Sequence, residues 1–267
     1  MELNFYQPRH NGLLDVIEGY YFLRGTESQD KLSYQTFPNN FAILSVLRNA
    51  TLDVGDHRVD CISSEKPNVL SNLTLNYQSP ITINYHGPVN ELTVYFKPLG
   101  LYTFLQQVWG SVDGTFQQFC PFADFHESMQ YVLDQQDRDL QRQLLEDYWL
   151  SKKLFVAEPF IHRLVEKIEG DQTISAIASD LGVSRQYLNR RFHQYLAKTP
   201  LEFRRIQRFR NAIKAKATSK NLTDLATGSL FYDQSHFIRD FRTLTHLSPK
   251  SFFYKTDTDR ENVWLYV

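Results

Sequence analysis

The chain has 267 residues, 42% hydrophobic, 14% aromatic and 22% charged, a globular composition that excludes an intrinsically disordered chain, and its length predicts two domains. The two cysteines, Cys61 and Cys120, form no CxxC pair and no basic segment leads into an apolar stretch at the N-terminus, so neither a disulfide scaffold, a thiolate zinc site nor secretion is expected and a reducing cytoplasm fits. The longest apolar run, Phe41 to Leu47, is far too short to cross a membrane, and the net charge of -1 conceals an uneven distribution.

Residues 1–170 carry 13 basic and 21 acidic side chains, residues 171–256 carry 15 and 6, and the tail 257–267 carries 1 and 3. A basic third joined to an acidic remainder suggests a nucleic-acid-facing module, because Lys and Arg that neutralise phosphates release counterions. A merely solvated basic surface is the plainer alternative, and spacing must decide between them.

Residues 1 to about 121 read as strands and turns. Leu32 to Phe37, Phe41 to Leu47, Ile81 to Tyr85 and Leu92 to Phe96 are rich in β-branched and aromatic residues and are separated by Asn, Gly and Pro clusters, the pattern of antiparallel strands in a cupin-like barrel or sandwich. A short stretch from Leu101 to Trp109 has helical character. The period then changes: Phe125, Met129, Leu133, Leu140, Leu144 and Tyr148 recur at steps of four or seven, which predicts amphipathic helices over about 122–150. They pack on their own β domain or form a homodimer seam. Ser151-Lys152-Lys153 ends this stretch and Glu158-Pro159 opens a new helix, so a linker is placed at 151–157, between a β-rich domain at 1–150 and a helical domain at 158–256 with an acidic tail at 257–267.

Residues 174–255 repeat internally at an offset of 49: Leu188 recurs as Phe237, Arg190 as Arg239, Phe192 as Phe241, Thr199 as Ser248, Pro200 as Pro249 and Phe203 as Phe252. In the first unit Ile174, Ile177, Ala178 and Leu181 make one apolar helix face, Gly182 allows a turn at positive φ, and Ser184 is a good N-cap for the next helix. That helix buries Leu188, Phe192 and Tyr195. It leaves Arg185, Gln186, Asn189, Arg190 and His193 outside, with no acidic residue in 184–194, and Arg, Gln and Asn are the side chains that make bidentate contacts to base edges in the major groove.

The second unit has Leu222, Leu225 and Ala226 on its first helix, Leu230-Phe231 at the turn, Asp233 as N-cap, Phe237 and Phe241 inside, and Gln234, Ser235, Ile238, Arg239 and Arg242 outside. Its turn is one residue longer than the first. Thr199-Pro200 and Ser248-Pro249 each start a following helix. The one after Pro200 is predicted to bury Phe203, Ile206, Phe209 and Ile213 and to expose Arg204, Arg205, Arg208 and Lys216 as a basic-flanked connector of roughly 26 Å. Two helices so joined could reach successive major grooves, about 34 Å apart on one face of DNA.

The segment Phe231-Tyr232-Asp233-Gln234-Ser235-His236-Phe237, followed by Arg239, Phe241 and Ser248-Pro249, resembles the DNA-binding signature of AraC/XylS-type bacterial transcription regulators. The resemblance covers about residues 158–255. Leu230 stands where that family usually has Gly, Ala197 and His246 occupy the two usual Gly positions before Ser/Thr-Pro, and Phe253 replaces a common Arg. By resemblance, groove contacts map onto Gln186, Asn189 and Arg190 and onto Gln234, Ser235, Ile238 and Arg239. It implies a sequence-specific regulator binding double-stranded DNA, with an N-terminal sensing or dimerisation domain; a small-molecule effector and RNA polymerase are its candidate partners.

Rival classes have less support. A cupin-type enzyme would need clustered ligands, yet His57, His86 and His126 are isolated without HxH or ExxH spacing, so neither a metal, another cofactor nor catalysis is expected. Cys61 and Cys120 lack a Pro-Cys-His-Arg-like setting and read as buried small hydrophobes. A helical protein-interaction module fused to a non-catalytic barrel would not need a net charge of +9 over residues 171–256. Phe5, Tyr6, Tyr20, Tyr21, Phe22, Tyr34 and Phe37 either line a ligand pocket or form plain core.

Overall fold

The computed structural model describes residues 3–25, 31–109, 116–154, 158–215 and 234–256. Its first half folds into the strands β1 (Leu3–Tyr6), β2 (Ile17–Arg24), β3 (Lys31–Thr36), β4 (Ala42–Arg48), β5 (Ala50–Gly55), β6 (Arg58–Ser63), β7 (Val69–Thr74), β8 (Ile81–His86), β9 (Asn90–Phe96) and β10 (Gln117–Gln118). One sheet has the order β1-β2-β9-β4-β7-β10 and the other β3-β8-β6-β5. All pairings among the described residues are antiparallel except β6 with β8.

The four strands expected from β-branched and aromatic runs are present as β3, β4, β8 and β9. Strand β2 is harder to read from pattern because both of its faces are covered. Tyr21 and Leu23 point between the sheets, into a core with Tyr34, Ile43, Val59 and Tyr85. Tyr20 and Phe22 point the other way, into a second core shared with the helices α1 (Gly100–Leu105), α2 (Phe125–Asp134) and α3 (Arg138–Lys152). The apolar stripe predicted over 122–150 belongs to this second core: Phe125, Met129 and Leu133 are fully buried, and Leu144 and Tyr148 pack against them. Only Leu140 of that stripe stands exposed. The buried Glu146 carboxylate of α3 also accepts hydrogen bonds from the Arg9 and His10 amides at 3.0 and 2.9 Å and from the Tyr20 hydroxyl at 2.5 Å, tying the N-terminal segment to the helices.

The second half comprises α4 (Pro159–Glu169), α5 (Ile174–Asp180), α6 (Arg185–Leu196), α7 (Pro200–Ala215), α8 (Gln234–Thr245) and α9 (Pro249–Lys255). Leu222, Leu225, Ala226, Leu230, Phe231 and Asp233, with Lys216 and the tail 257–267, lie outside the described residues. Each helical unit has its own core, and each core is completed by the β domain. Leu99 and Tyr102 join Ile161, Leu164, Leu188, Phe192 and Phe203, whereas Phe37 joins Phe209, Phe237, Phe241 and Phe252, with its ring 5.0 Å from that of Phe252.

Polar contacts follow the same seam. Asn76 donates to the Ala197 carbonyl and Asn40 to the Phe203 carbonyl, both at 3.0 Å, and the Trp109 amide donates to the Gln194 carbonyl at 2.5 Å. Lys198, 2% exposed, donates its ammonium to the Leu75 carbonyl. Burial lowers its pKa from 10.5 to about 7, with Glu202 opposing the shift. A lysine depressed in the folded state opposes folding when protonated, so this penalty is fully present below about pH 7 and is relieved as pH rises toward the ordinary lysine value. The melting temperature of the wild-type chain should therefore rise between about pH 7 and pH 9 relative to that of Lys198→Met; parallel pH profiles for the two proteins would show that the buried ammonium has no such effect.

Candidate nucleic-acid interface

The first helical unit is built from local signals. Thr173 caps α5 by accepting from the Ala176 amide at 3.1 Å, and Ser184 caps α6 by accepting from the Tyr187 amide at 3.1 Å. Between them Gly182 has φ +65°, and a Cβ there would meet nothing within 4 Å, so the glycine answers a backbone requirement rather than a lack of space. Helix α6 buries Leu188, Phe192 and Tyr195 and leaves Arg185, Gln186, Asn189, Arg190 and His193 exposed, as the spacing predicts.

Both usual-glycine departures occupy the conformation that explains the usual glycine: Ala197 has φ 53° and His246 φ 58°. Ala197 ends α6 in the left-handed region, its amide donating to the His193 carbonyl at 2.9 Å. Thr199 and Glu202 then form a reciprocal capping box at the start of α7, with the Glu202 amide donating to Thr199 at 3.2 Å and the Thr199 amide to Glu202 at 2.7 Å. Ser248 accepts from the Ser251 amide at 3.2 Å at the start of α9.

In the second unit α8 buries Phe237, Phe241 and Leu244, exposes Ser235, Arg239 and Arg242, and holds Ile238 half-buried. The side chain of Gln234 lies outside the described residues.

Three connector residues are placed differently from expectation. Arg204 is half-buried and donates to the Ile168 and Lys167 carbonyls at 2.7 and 3.3 Å, a cation on the C-terminal carbonyls of α4. Arg208, also half-buried, donates to the buried Asp240 of α8 at 3.0 Å, and His236 approaches the same carboxylate at 3.3 Å. Helix α7 packs against α4, α6 and α8, so it has more than one covered face, and positions that single-face periodicity assigns to solvent meet a neighbouring helix. Arg205 is half-buried as well.

Tyr187 is a feature that residue spacing left unremarked. Its ring packs edge-on against Phe160 of α4, centroids 5.8 Å apart, and the Arg190 guanidinium lies 5.6 Å from the ring centroid. An aromatic three residues before Arg190 on the same helix face was the available signal. Arg191 instead bonds Glu158 at 2.8 Å and the Tyr195 hydroxyl at 3.1 Å, fastening α6 to the start of α4.

The remaining candidates sit outside this face. Of the seven aromatics considered for a pocket, Tyr21 and Tyr34 line a cavity between the sheets, Phe5 packs beside it on Tyr95, Tyr6, Tyr20 and Phe22 belong to the opposite core, and Phe37 serves the second helical unit. Cys61 is buried, and burial pushes its thiol pKa well up. Cys120 is exposed, correcting the expectation of burial, because it follows the short edge strand β10 rather than pointing between the sheets. His86 contacts Asp60 at 3.1 Å, His126 contacts Ser71 at 2.7 Å, and the rings of His57 and His246 lie 6.2 Å apart. No cluster of three or more potential metal ligands occurs among the described residues.

Residues 177–254 match the family described as a helix-turn-helix domain. No curated protein matches the sequence significantly. Among solved structures, the chain is similar to ToxT from Vibrio cholerae, with 13% identity over 87% of this chain and 98% of that one and a TM-score of 0.44. It is likewise similar to wild-type ToxT from the same organism bound to an unsaturated fatty acid, with 11% identity, coverages of 87% and 95%, and a TM-score of 0.43.

Two substitutions test this construction. Ala197→Gly should stabilise the chain by about 1 kcal/mol in denaturant unfolding, by relieving the left-handed alanine. Arg208→Ala should destabilise it by about 3 kcal/mol because it removes a cation from the buried Asp240; an unchanged midpoint would mean that His236 suffices for that carboxylate.

Proposed function

With residues 177–254 identified as an AraC-type helix-turn-helix domain, we propose that the chain is a sequence-specific DNA-binding transcription regulator that inserts α6 and α8 into successive major grooves. The exposed face of α6 carries the argument: Arg185, Gln186, Asn189, Arg190 and His193 project together, with no carboxylate in residues 184–194. On this face the groove readers are Gln186, Asn189 and Arg190, with Gln234, Ser235, Ile238 and Arg239 their counterparts on α8. Arg185, His193, Arg205, Lys216 and Arg242 supply phosphate contacts, which position the protein without reading sequence. The activity is binding rather than catalysis, and its place is the cytoplasm with the DNA.

The connector α7 spans 16 residues, about 24 Å at 1.5 Å per residue, a strut of the length needed to hold two reading helices on one face of the duplex. Because the β domain completes the core of both units, a small molecule seated in that domain would alter how α6 and α8 are presented. This makes the β domain the effector domain.

Sequencing genomic fragments captured by the purified chain at two salt concentrations tests the reading. Enrichment of one motif spanning about two helical turns, roughly 20 base pairs, is the expected result. Uniform, strongly salt-dependent recovery would refute specific reading, and absence of recovery would favour a protein-interaction module. On the enriched site Arg190→Ala should cost about 1–3 kcal/mol and relax base preference, whereas Lys216→Ala should weaken all DNA alike. Equal losses for Arg190→Ala on random and specific DNA would remove it from the base readers.

A further inference from the structure

The cavity between the two sheets has a volume of about 50 Å³ and an aromatic wall that includes Tyr21, Tyr34, Tyr85 and Tyr95. One carboxylate stands among its lining residues, that of Glu91 on β9, and no Lys, Arg or His is among them. Glu91 is 3% exposed. Its Oε1 accepts from the Tyr21 hydroxyl at 2.8 Å and from the Thr93 hydroxyl at 2.7 Å, and its Oε2 accepts from the Tyr85 hydroxyl at 2.5 Å. The Tyr34 hydroxyl lies 3.3 Å from those of both Tyr21 and Tyr85. Arg210 of α7 acts electrostatically on Tyr77 and Tyr95 of the same wall, while the described hydrogen-bond partners of Glu91 are hydroxyls.

This arrangement has a definite chemical preference. Three donors converging on one carboxylate favour its ionised form, whereas burial disfavours it and pushes the pKa of Glu91 up. A cation in the cavity would offset that burial; an anion would add to it. Tyr21 and Tyr85, whose protons point at Glu91, present oxygen lone pairs to a guest, and the ring faces attract positive charge. The size of the cavity is also restrictive, since a benzene-sized guest needs about 150 Å³.

We propose that this cavity binds a small primary ammonium ion of about two to four heavy atoms, its charge against Glu91 and its N–H groups donated to the hydroxyl oxygens of Tyr21, Tyr34 and Tyr85. The proposal rests on the reading of the β domain as the effector domain and supplies the ligand class.

Differential scanning of the full chain at matched chloride concentration tests it, with ethylammonium, n-propylammonium, n-propanol and propionate as probes. The two ammonium ions should raise the melting transition by about 5 °C near saturation, with the alcohol and the carboxylate leaving it in place. Glu91→Gln should abolish the shift and Tyr34→Phe should reduce it. Should Glu91→Gln not fold, the comparison of n-propylammonium with n-propanol on the wild-type chain decides the charge preference alone. A shift by propanol or propionate equal to that by the ammonium ions, or no shift by any probe, would overturn the proposal. DNA affinity, measured by anisotropy with and without n-propylammonium, separates the two levels. An ammonium-induced melting shift with unchanged DNA affinity upholds the ligand class and refutes the effector reading; altered affinity upholds both.

Discussion

The C-terminal half depends on the β domain for the completion of its two cores. Phe37 fills the second helical unit against Phe252, and Leu99 with Tyr102 closes the first against Tyr195 and its neighbours. Burial of such side chains contributes about 1.5–3 kcal/mol each, so the contacts are strong enough to orient small helical units. The seam also contains an ammonium at Lys198 and carbonyls of α6 and α7. Helices α6 and α8 are consequently both referenced to one body, and a change in that body reaches each of them by direct contact.

The basic residues of the C-terminal half divide by their partners. Arg191, Arg204 and Arg208 hold helices together through Glu158, the end of α4 and Asp240. Arg185, Arg190, Arg239 and Arg242 stand exposed on α6 and α8. The first group contributes to the rigidity with which the second is displayed, and rigid display favours base reading because less side-chain and helix freedom is lost on binding. Tyr187 extends the same logic to a single side chain, since its contact with Phe160 fixes the ring beside the Arg190 guanidinium.

In the β domain the aromatics perform two tasks on opposite faces of one strand. Tyr20 meets the Glu146 carboxylate under the helices, and Tyr21, its neighbour in sequence, meets the Glu91 carboxylate between the sheets. Each buried acid is thereby satisfied by a phenol, which donates a hydrogen bond while its ring remains in the core. The same chemistry builds a structural tie on one side and a lined cavity on the other.

Much of this was legible locally. The sequence by itself determined the β-rich half, the helix pair after residue 122, the first helix-turn-helix unit and the helix α8 of the second, the caps at Ser184, Thr199 and Ser248, and the outward face of α6, because periodicity and capping act over a few residues. The resemblance to AraC/XylS-type regulators marked Ala197 and His246 as standing at usual-glycine positions, and both adopt the positive φ that glycine favours. Only the tertiary structure decided that Phe37 belongs to the second helical unit, that Arg204 and Arg208 are ties, and that Glu91 is ringed by hydroxyls. These outcomes join residues from separate elements: 215 positions part Phe37 from Phe252, and 32 part Arg208 from Asp240. A hydrophobic period shows that a helix has a covered face; how many neighbours cover it, and which distant side chains they bring, is settled by packing in three dimensions.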